Sequence, residues 1–516
     1  MNSNEKIAKE MFEFANVNEN IHDKELVTKP VGYFKDAWNR FKKNKASIVA
    51  AVIIAILVLF ALIGPFTTPY KVSYNDGYFR FTLPRNELFY KLNIPFWDGC
   101  ETKEVTKESF YYYYSMGVET GHNAIKNQDY EVVKKENANK KMTTYYVFRY
   151  DSYQGNGTVF LNLSVDEYKN IQKYQDETNI QVIYPMTDPS KRPTAVQDND
   201  NANYWFETEE VGGKTNVVLD ENGEFTNIYL SYSGNDLYTS KVRVEENEPA
   251  YDYAILNQTG CQVRVNYYEY YVYYHSYVLN DGINSPSFIF GTTQSGQDIF
   301  ACLASGARFS FMLAIIVAAV NLFVGSIFGA IEGYYGGKID LVMERFVEIL
   351  NAVPFMIVIT LLKYHMAGSS QVIILFIAFF LTGWIGISSR TRMQFYRFKN
   401  QEYVLAARTL GASDARIMFK HIFPNALGTL ITSCILIIPS MIFSETSLSY
   451  LGIINLNSGN LTSVGTLLAN AQAYLTSYPH MILFPAVFIC LLMLSFNLFG
   501  NGLRDAFNPS LRGSED

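Results

Sequence analysis

A chain of 516 residues is long enough for more than one domain, and its mean hydropathy of +0.01 averages two unlike parts. Long apolar runs lie near the start and in the last 210 or so residues, whereas the middle of the chain is polar, which excludes a single soluble core. The net charge of -7 combines an acidic polar region with basic flanks of the apolar runs, so it gives no reason to expect a nucleic-acid partner.

The first apolar run, Ala46 to Ile63, is long enough to span a bilayer. The residues before it are polar and mixed in charge, so we expect no cleavable signal peptide. Basic side chains precede the run, and Gly64-Pro65-Phe66 is expected to end the helix. Because basic flanks remain in the cytoplasm, residues 1–45 are predicted to be cytoplasmic and residues 46–66 to form the first transmembrane helix.

Residues 67–290 are polar and predict an α+β domain outside the cell. Thr158–Leu163 and Ile180–Tyr184 are predicted strands, joined by a helix that begins at a Ser164/Glu167 capping box and ends near Glu177. A hairpin is predicted over 216–232. The tyrosine-rich run 262–278 predicts a long strand, whose rings either bind a ligand or, as we favour, fill half-buried sheet faces. The oxidising exterior permits a disulfide between Cys100 and Cys261, although the sequence does not place them together.

The second apolar part, 291–503, is predicted to contain five more transmembrane helices. Pro354 and Pro439 are expected to kink their helices. An even total of six places both termini in the cytoplasm, with 504–516 as a cytoplasmic tail. The predicted helices are Ser310–Ile331, Phe346–Leu362, Val372–Ile387, Leu427–Phe443 and Met481–Leu498.

Charged residues near the helix ends are candidate gates or contacts between subunits. Asp340, Arg345 and Glu348 are predicted to lie on one helical face at the cytoplasmic mouth, where they pair with each other or with a neighbouring subunit. Glu445 lies near the outer end of the fifth helix, either as an interfacial cap or in contact with substrate or a partner. Arg308 belongs to the same group of candidates.

A polar, basic segment, 401–425, separates two apolar runs. It predicts a helix from Glu402 to Leu410, a break at Gly411, and a second helix capped by Ser413 and ended by Pro424. Small residues leave the turn without bulk, so that another protein could approach its backbone closely. These residues are Ala406, Ala407, Gly411 and Ala412. The alternative is a solvated loop held in place by its positive charge.

This segment resembles the EAA loop of bacterial ABC-importer permeases, in which a short helix docks in a groove of the ATPase subunit. Glu402 precedes Leu405-Ala406-Ala407 here, and the central Gly411 is in place. The flanking residues resemble the dipeptide/oligopeptide permease family, C-type subunit. Further matches are Gly306–Ser310, Gly333–Gly337, Leu448–Gly452 and Gly502–Asp505, within a resemblance covering 38–66 and 291–512. Thr293 and Gln297 replace the usual Asp and Arg, which puts an ion pair expected there in doubt.

The resemblance implies a type I ABC-importer permease fold of six helices with an inserted α+β domain. It also implies a permease subunit that imports oligopeptides across the bacterial cytoplasmic membrane. The partners implied are a paralogous second permease, two ABC ATPase subunits, an extracellular substrate-binding lipoprotein and membrane lipid. ATP and Mg would be bound by the ATPase partners. The residues implied in coupling are Glu402, Ala406, Ala407, Gly411, Ala412, Ser413 and Arg416.

The chain itself shows no pattern expected of an enzyme. The nearest phosphate-loop candidate, Gly213-Lys214-Thr215, has Thr208 in place of the first glycine, and the six histidines lack metal-ligand spacing. Two alternatives remain open at this point. One is a permease for dipeptides, nickel or another small solute, and the other is a membrane-anchored receptor or adhesion protein.

Overall fold

The structure is a computed structural model. It describes residues 33–95, 97–136, 142–184, 195–197, 205–212, 214–217, 221, 240–241, 254–257, 260–456 and 462–507. The hairpin predicted over 216–232 lies largely outside the described residues.

Two helices open the described chain, α1 (Tyr33–Lys43) and α2 (Lys45–Thr67). Asn44 separates them, because its side chain accepts a hydrogen bond from the Ser47 N–H at 3.2 Å and so caps α2. The first transmembrane helix is confirmed, but it continues through Gly64-Pro65-Phe66, which we expected to end it. Pro65 is tolerated because it lies in the last turn of the helix, where its missing N–H and its ring disturb few helical hydrogen bonds.

The inserted domain begins with α3 (Glu87–Lys91) and a lobe of four elements, namely β1 (Cys100–Thr106), α4 (Lys107–Thr120), β2 (Ile125–Glu136) and β3 (Met142–Asp151). β3 lies between β1 and β2 in an antiparallel sheet. Phe110 of α4 packs on Phe148 of that sheet. The lobe closes on itself, since Cys100 is paired opposite Asp151 at the ends of β1 and β3.

The domain continues with β4 (Thr158–Leu163), α5 (Val165–Thr178), β5 (Ile183–Tyr184), β6 (Ala195–Gln197), β7 (Trp205–Val211), β8 (Lys214–Val217), β9 (Ser240–Lys241), β10 (Ala254–Asn257) and β11 (Gly260–Asn266). One sheet has the order β4-β11-β10-β9, with β5 paired to β11, and another has the order β6-β7-β8. The predicted first strand and the helix after it are confirmed, and the Ser164 hydroxyl accepts a hydrogen bond from the Glu167 N–H at 3.1 Å. Of the second predicted strand, Ile183 and Tyr184 form β5.

The long strand predicted over 262–278 is wrong beyond Asn266. The chain turns into a helix, α6 (Tyr267–Tyr273), followed by a π-helical turn, Tyr274–Leu279. Asn266 begins the helix, because its side chain accepts a hydrogen bond from the Glu269 N–H at 3.1 Å. Tyr267, Tyr271 and Tyr273 are buried in the domain core. These rings therefore fill the core, as we favoured over ligand binding, but they do so from a helix and not from a sheet.

The predicted disulfide is not formed. Cys100 lies in β1 and Cys261 in β11, which belong to different sheets, and the cysteines of the described chain form no disulfide. The reason is topological, because the chain places each cysteine in a separate layer of the domain.

The membrane part follows Asp298, which accepts a hydrogen bond from the Thr68 hydroxyl at 3.3 Å and caps the next helix. Its elements are α7 (Ile299–Tyr335), α8 (Gly337–Asn351), α9 (Phe355–His365), α10 (Gln371–Gly383), α11 (Ile385–Phe398), α12 (Glu402–Thr409), α13 (Asp414–Arg416), a π-helical turn (Ile417–Ile422), α14 (Phe423–Tyr450), α15 (Val464–Ala471) and α16 (His480–Phe507).

Within the described residues five helical stretches are long and apolar enough to cross a membrane, and the bent pair α8 and α9 makes a sixth. The bend of 73° falls at Pro354, which was expected to kink this region and in fact breaks it. Two names are used below. The loop face is the membrane side that carries 399–422, and the domain face is the side that carries 68–298.

The centre of the membrane part is a close contact between α7 and α11. A Cβ atom added at Gly329 would lie 2.2 Å from the Ser388 carbonyl oxygen, and one at Gly325 would lie 2.6 Å from the Trp384 carbonyl oxygen. Glycine is therefore needed here for space, because small residues let helix backbones approach closely. This contact fixes the position of α11, and hence of the loop that follows it.

Candidate functional site

The loop between α11 and α14 turns at Gly411, as predicted. Gly411 has a φ of +79°, a conformation that L side chains rarely adopt. Its N–H donates to the Arg408 carbonyl at 3.0 Å, and the Ala412 N–H donates to the Ala407 carbonyl at 3.1 Å. These two bonds form a Schellman motif, which satisfies the carbonyl groups at the end of α12. A Cβ at Gly411 would meet no atom of the described chain within 4 Å, so the turn requires glycine for its backbone conformation.

The outer side of this turn is an exposed surface with an apolar centre. Leu410 is 87% exposed, and Tyr403 and Leu405 beside it are also exposed. We call these three residues the docking surface. Glu402, Ala406, Gly411, Ser413 and Arg416 are exposed around it. Ala412 is half-buried and Ala407 only 9% exposed, so of the predicted coupling residues Ala407 packs inward and adds little to the surface.

The inner side of the loop is packed on the membrane helices. Val404 of α12 and Ile417 and Ile422 of the π-helical turn are buried against Ala330 of α7 and Phe395 of α11. The burial of such apolar side chains stabilises the contact by about 1.5–3 kcal/mol each. The loop is therefore a rigid extension of α7 and α11.

A polar contact reinforces this attachment. The Tyr334 hydroxyl, at the end of α7, donates to Asp414 Oδ1 at 2.6 Å. The Arg408 guanidinium donates to the Tyr334 oxygen at 3.5 Å, a long bond. One ring thus joins both arms of the turn to α7. Sequence reasoning missed this contact, because nothing local relates Tyr334 to a carboxylate 80 positions away.

The second arm of the turn differs from the prediction. Ser413 occupies the cap position of α13, but its side chain forms no capping hydrogen bond. The helix does not end at Pro424, which lies in the first turn of α14. Proline is tolerated there because the first turn of a helix has N–H groups without helical partners, and the π-helical turn before it absorbs the irregularity.

A charged cluster lies beside the loop, between α7, α8 and α11. Arg392 Nε lies 2.6 Å from Asp340 Oδ1, and Arg392 Nη1 lies 2.7 Å from a carboxylate oxygen of Glu344. Glu332, which is 2% exposed, contributes an oxygen 3.4 Å from Arg392 Nε. The Tyr396 hydroxyl also donates to Asp340. Three carboxylates therefore share one guanidinium, and the low dielectric near the membrane makes this cation necessary.

The pairing predicted among Asp340, Arg345 and Glu348 is only half correct. Arg345 does pair with Glu348, but Asp340 pairs with Arg392 of another helix. The reason is helical geometry, since five residues turn Asp340 and Arg345 about 140° apart. An available signal was Glu332, an acidic residue inside an apolar run, which demands a cation.

The other two candidate charges make contacts within the chain. The Arg308 guanidinium lies 5.3 Å from the centre of the Phe66 ring, which joins α7 to α2. Glu445 is 1% exposed and accepts hydrogen bonds from Ser310 at 2.8 Å and Ser449 at 3.1 Å. Glu445 was predicted as an interfacial cap or as a contact with substrate or a partner, and within this chain hydroxyl groups enclose it.

The loop before α7 replaces the doubtful ion pair with neutral hydrogen bonds. The Thr293 N–H donates to the Gln297 carbonyl at 2.9 Å, and the Gln297 N–H donates to the Thr293 hydroxyl at 3.1 Å. The Gln297 amide also donates to the Val72 carbonyl at 2.7 Å. The turn therefore forms without the charged pair.

Comparison with known proteins decides the family. A family model described as the binding-protein-dependent transport system inner membrane component matches residues 324–513. A second, the N-terminal TM domain of oligopeptide transport permease C, matches residues 32–84. The oligopeptide transport system permease protein OppC of Bacillus subtilis (strain 168) is 44% identical over 223 residues, 43% of this chain and 72% of that protein. The chain belongs to the C-type oligopeptide and dipeptide permease family.

Other known proteins are also similar to parts of this chain. The dipeptide transport system permease protein DppC of Bacillus subtilis (strain 168) is 38% identical over 224 residues, 43% of this chain and 69% of that protein. A solved chain of the MetNI methionine ABC transporter, in an inward-facing conformation, covers 40% of this chain and 96% of its own length at 15% identity, with a TM-score of 0.33.

Family membership gives the membrane part its type. It is the helical permease fold of type I ABC importers, and this chain is a transport subunit of that family. Residues 85–323, which contain most of the inserted domain, lie between the two segments that the family models match.

Proposed function

We propose that this chain is the permease subunit of an ABC importer that moves oligopeptides, coupled through 401–425 to separate ATPase subunits. The observation that carries the proposal is the docking surface, an exposed apolar surface on a loop fixed rigidly to two membrane helices. An exposed apolar patch rimmed by polar residues marks a contact with another protein, and Glu402, Ser413 and Arg416 lie exposed around this one. The relatives named for oligopeptide transport support the choice of cargo.

The orientation of the chain forms part of the proposal. We place the loop face in the cytoplasm and the domain face outside. Basic residues of the loop face support this, in keeping with the positive-inside rule. They include Arg390, Arg397, Lys399, Arg408 and Lys420. Both termini then lie in the cytoplasm.

The mechanism follows from how the loop is attached. ATP binding and hydrolysis by partner subunits would move the docking surface, and the chain would respond as a unit, because Tyr334 and the buried Val404 and Ile417 join the loop to α7. The close contact at Gly329 carries the movement from α7 to α11. Such a movement shifts the permease pair between inward-facing and outward-facing states.

A test of coupling changes the docking surface without disturbing the fold. Leu410→Ser removes an exposed apolar side chain, so the chain itself should remain as stable as the wild type. We expect the ATPase subunits to be lost on co-purification and peptide uptake to fall at least tenfold. Leu92→Ser is the matched control, since Leu92 is also exposed (61%) but lies in the inserted domain. Unchanged co-purification in Leu410→Ser, or equal loss in Leu92→Ser, contradicts the proposed role of the loop.

For the inserted domain we propose a docking platform that holds the substrate-binding lipoprotein or covers the pathway. The β1–β3 lobe can be replaced by a linker, because its ends meet: the Ser152 N–H donates to the Gly99 carbonyl at 3.1 Å. Replacing residues 101–150 with a short glycine-serine linker should reduce capture of the binding protein while the membrane part still assembles with its ATPases. Normal capture by this variant would remove the proposed role of the lobe.

A dipeptide importer is the second candidate function, and the similarity to DppC proteins favours it. Competition separates the two. Labelled tetrapeptide uptake that is inhibited by unlabelled pentapeptides but not by dipeptides supports the oligopeptide assignment, and the reverse order supports the dipeptide assignment. A receptor or adhesion role would leave the loop at 401–425 dispensable in the Leu410→Ser test.

A further inference from the structure

A cavity of about 360 Å³ opens on the loop face between α11, α14 and α16. Arg390 and Arg397 of α11 and Arg504 of α16 line it. The two residues of α11 are seven positions apart and therefore lie on one helical face about 10 Å apart. In the part of the chain that the structure describes, none of these three guanidinium groups forms an ion pair with a carboxylate.

The remaining polar groups of the cavity also suit an anion. Gln394 lies between the two arginines of α11, and Thr429 of α14 lies opposite. The hydroxyls of Thr432 and Ser433 already donate to backbone carbonyls at 2.9 and 2.8 Å, so they can only accept. The cavity wall thus presents three cations and two further donors, but no acidic side chain.

Arg392 shows how unusual this arrangement is for the same helix. It lies two residues after Arg390, on another face of α11, and three carboxylates surround it. Within the described residues, the half-buried Arg392 is thus paired with carboxylates, whereas the exposed arginines of the cavity have no carboxylate partner. A ligand with a negative charge would supply that partner.

The shape of the cavity indicates an amphiphile. Leu436 lines its deeper end, seven residues further along α14 than Thr429 and so about 10 Å closer to the membrane interior. Phe507 adds an aromatic wall. Phosphate-binding groups at the membrane surface followed by apolar groups toward the interior match a lipid headgroup and its glycerol, because basic pockets between helices bind such headgroups.

We propose that this cavity binds the phosphate headgroup of an anionic phospholipid in the leaflet on the loop face. Arg390, Arg397 and Arg504 hold the phosphate, and Leu436 and Phe507 contact the first atoms of the glycerol and acyl chains. The proposal concerns lipid binding alone, so it stands whether or not the chain carries peptides.

The test uses the full chain, with any partners that co-purify, in nanodiscs of equal parts phosphatidylglycerol and phosphatidylcholine. Lipids that remain bound are counted by native mass spectrometry. We expect at least tenfold enrichment of phosphatidylglycerol on the wild type. The triple variant Arg390→Gln, Arg397→Gln, Arg504→Gln should lose the enrichment, and each single variant should weaken it on the order of fivefold, from about 1 kcal/mol per basic residue.

Two control variants separate the site from general charge and from misfolding. Lys338→Gln removes one exposed positive charge of the loop face outside the cavity and should keep the enrichment. A triple Arg→Lys variant keeps the charge and should retain part of it. Thermal unfolding curves establish that both the wild type and the Arg→Gln triple variant are folded. Equal phosphatidylglycerol enrichment in these two proteins overturns the proposal.

Two competitors identify the source of the anion. Inorganic phosphate, added at the same concentration as the lipid, should not displace phosphatidylglycerol, because it cannot make the apolar contacts. Displacement at that concentration would overturn the lipid assignment and indicate a site for free phosphate. A tetrapeptide should not displace the lipid either. Displacement by its carboxylate would place the cavity in the transport pathway and would overturn the lipid assignment.

Discussion

Replacement of Arg392 by glutamine should destabilise the chain strongly, because it removes the cation that three carboxylates share. One carboxylate oxygen from each of Glu332, Asp340 and Glu344 lies within 4.8 Å of the other two. At an effective dielectric constant of about 20, two unit charges at that distance repel each other by roughly 3.5 kcal/mol. Proton uptake by one carboxyl group relieves part of this repulsion. We expect a loss of about 3 kcal/mol in the free energy of unfolding, as for other broken buried pairs.

Thermal unfolding of the detergent-solubilised chain measures this loss. The midpoint should fall by several degrees for Arg392→Gln. Arg345→Gln is the matched control, because Arg345 is exposed and pairs with Glu348 one turn away, an interaction worth about 0.5 kcal/mol or less. The double variant Arg392→Gln, Glu332→Gln should recover about half of the loss. An unchanged midpoint for Arg392→Gln, or an equal loss for Arg345→Gln, would refute the reasoning.

Three further predictions concern backbone and charge. Gly329→Ala should reduce the amount of folded chain in the membrane, because the added Cβ would lie 2.2 Å from a carbonyl oxygen. Gly386→Ala is the control and should not reduce it, because a Cβ there meets no atom within 4 Å. Equal amounts of the two variants on immunoblots of the membrane fraction would contradict this prediction. For substitutions at Gly411, the uptake rate should fall in the order Asn, Ala, Val. Asparagine tolerates the positive φ of this position best, whereas alanine and valine destabilise this backbone conformation by about 1–2 kcal/mol. A higher uptake rate for the Ala variant than for the Asn variant would show that space and not backbone conformation decides. Burial raises the pKa of Asp98, but hydrogen bonds from Arg149, the Cys100 N–H and Lys126 outweigh burial and lower the pKa overall. Ionised Asp98 therefore stabilises the fold above its unfolded pKa of about 3.9. This stabilisation is lost as the pH falls through the lower pKa of the folded state. The difference in unfolding midpoint between wild type and Asp98→Asn should therefore shrink below about pH 4, and a difference that grows there would contradict the assignment.

Local signals in the sequence were sufficient where one residue decides a conformation. Gly411 ends α12 because glycine adopts a positive φ without strain, and Ser164 begins α5 because its hydroxyl accepts from an N–H three residues on. The apolar runs likewise predicted the membrane helices, although Pro354 breaks one of them. In each case the physical cause lies within a few residues of its effect.

The missed features depend on contacts between distant parts of the chain. No local rule relates Arg392 to Asp340, or Glu445 to Ser310, because α7, α8, α11 and α14 must first pack. The helix after Asn266 is a different case. Its Asn-x-x-Glu start is a capping signal, which the tyrosine-rich composition outweighed in the interpretation as a strand.

The inserted domain leaves the membrane part at Thr68 and rejoins it at Asp298, and these two side chains are hydrogen bonded to each other. Entry and exit thus share one anchorage, so a connection of a few residues would close the same gap. Residues 85–297, which lie outside the segments that the family models match, can therefore differ in size without moving the points at which the chain enters and leaves the membrane part. Growth or loss of this insert is thereby uncoupled from the geometry of the loop at 401–425.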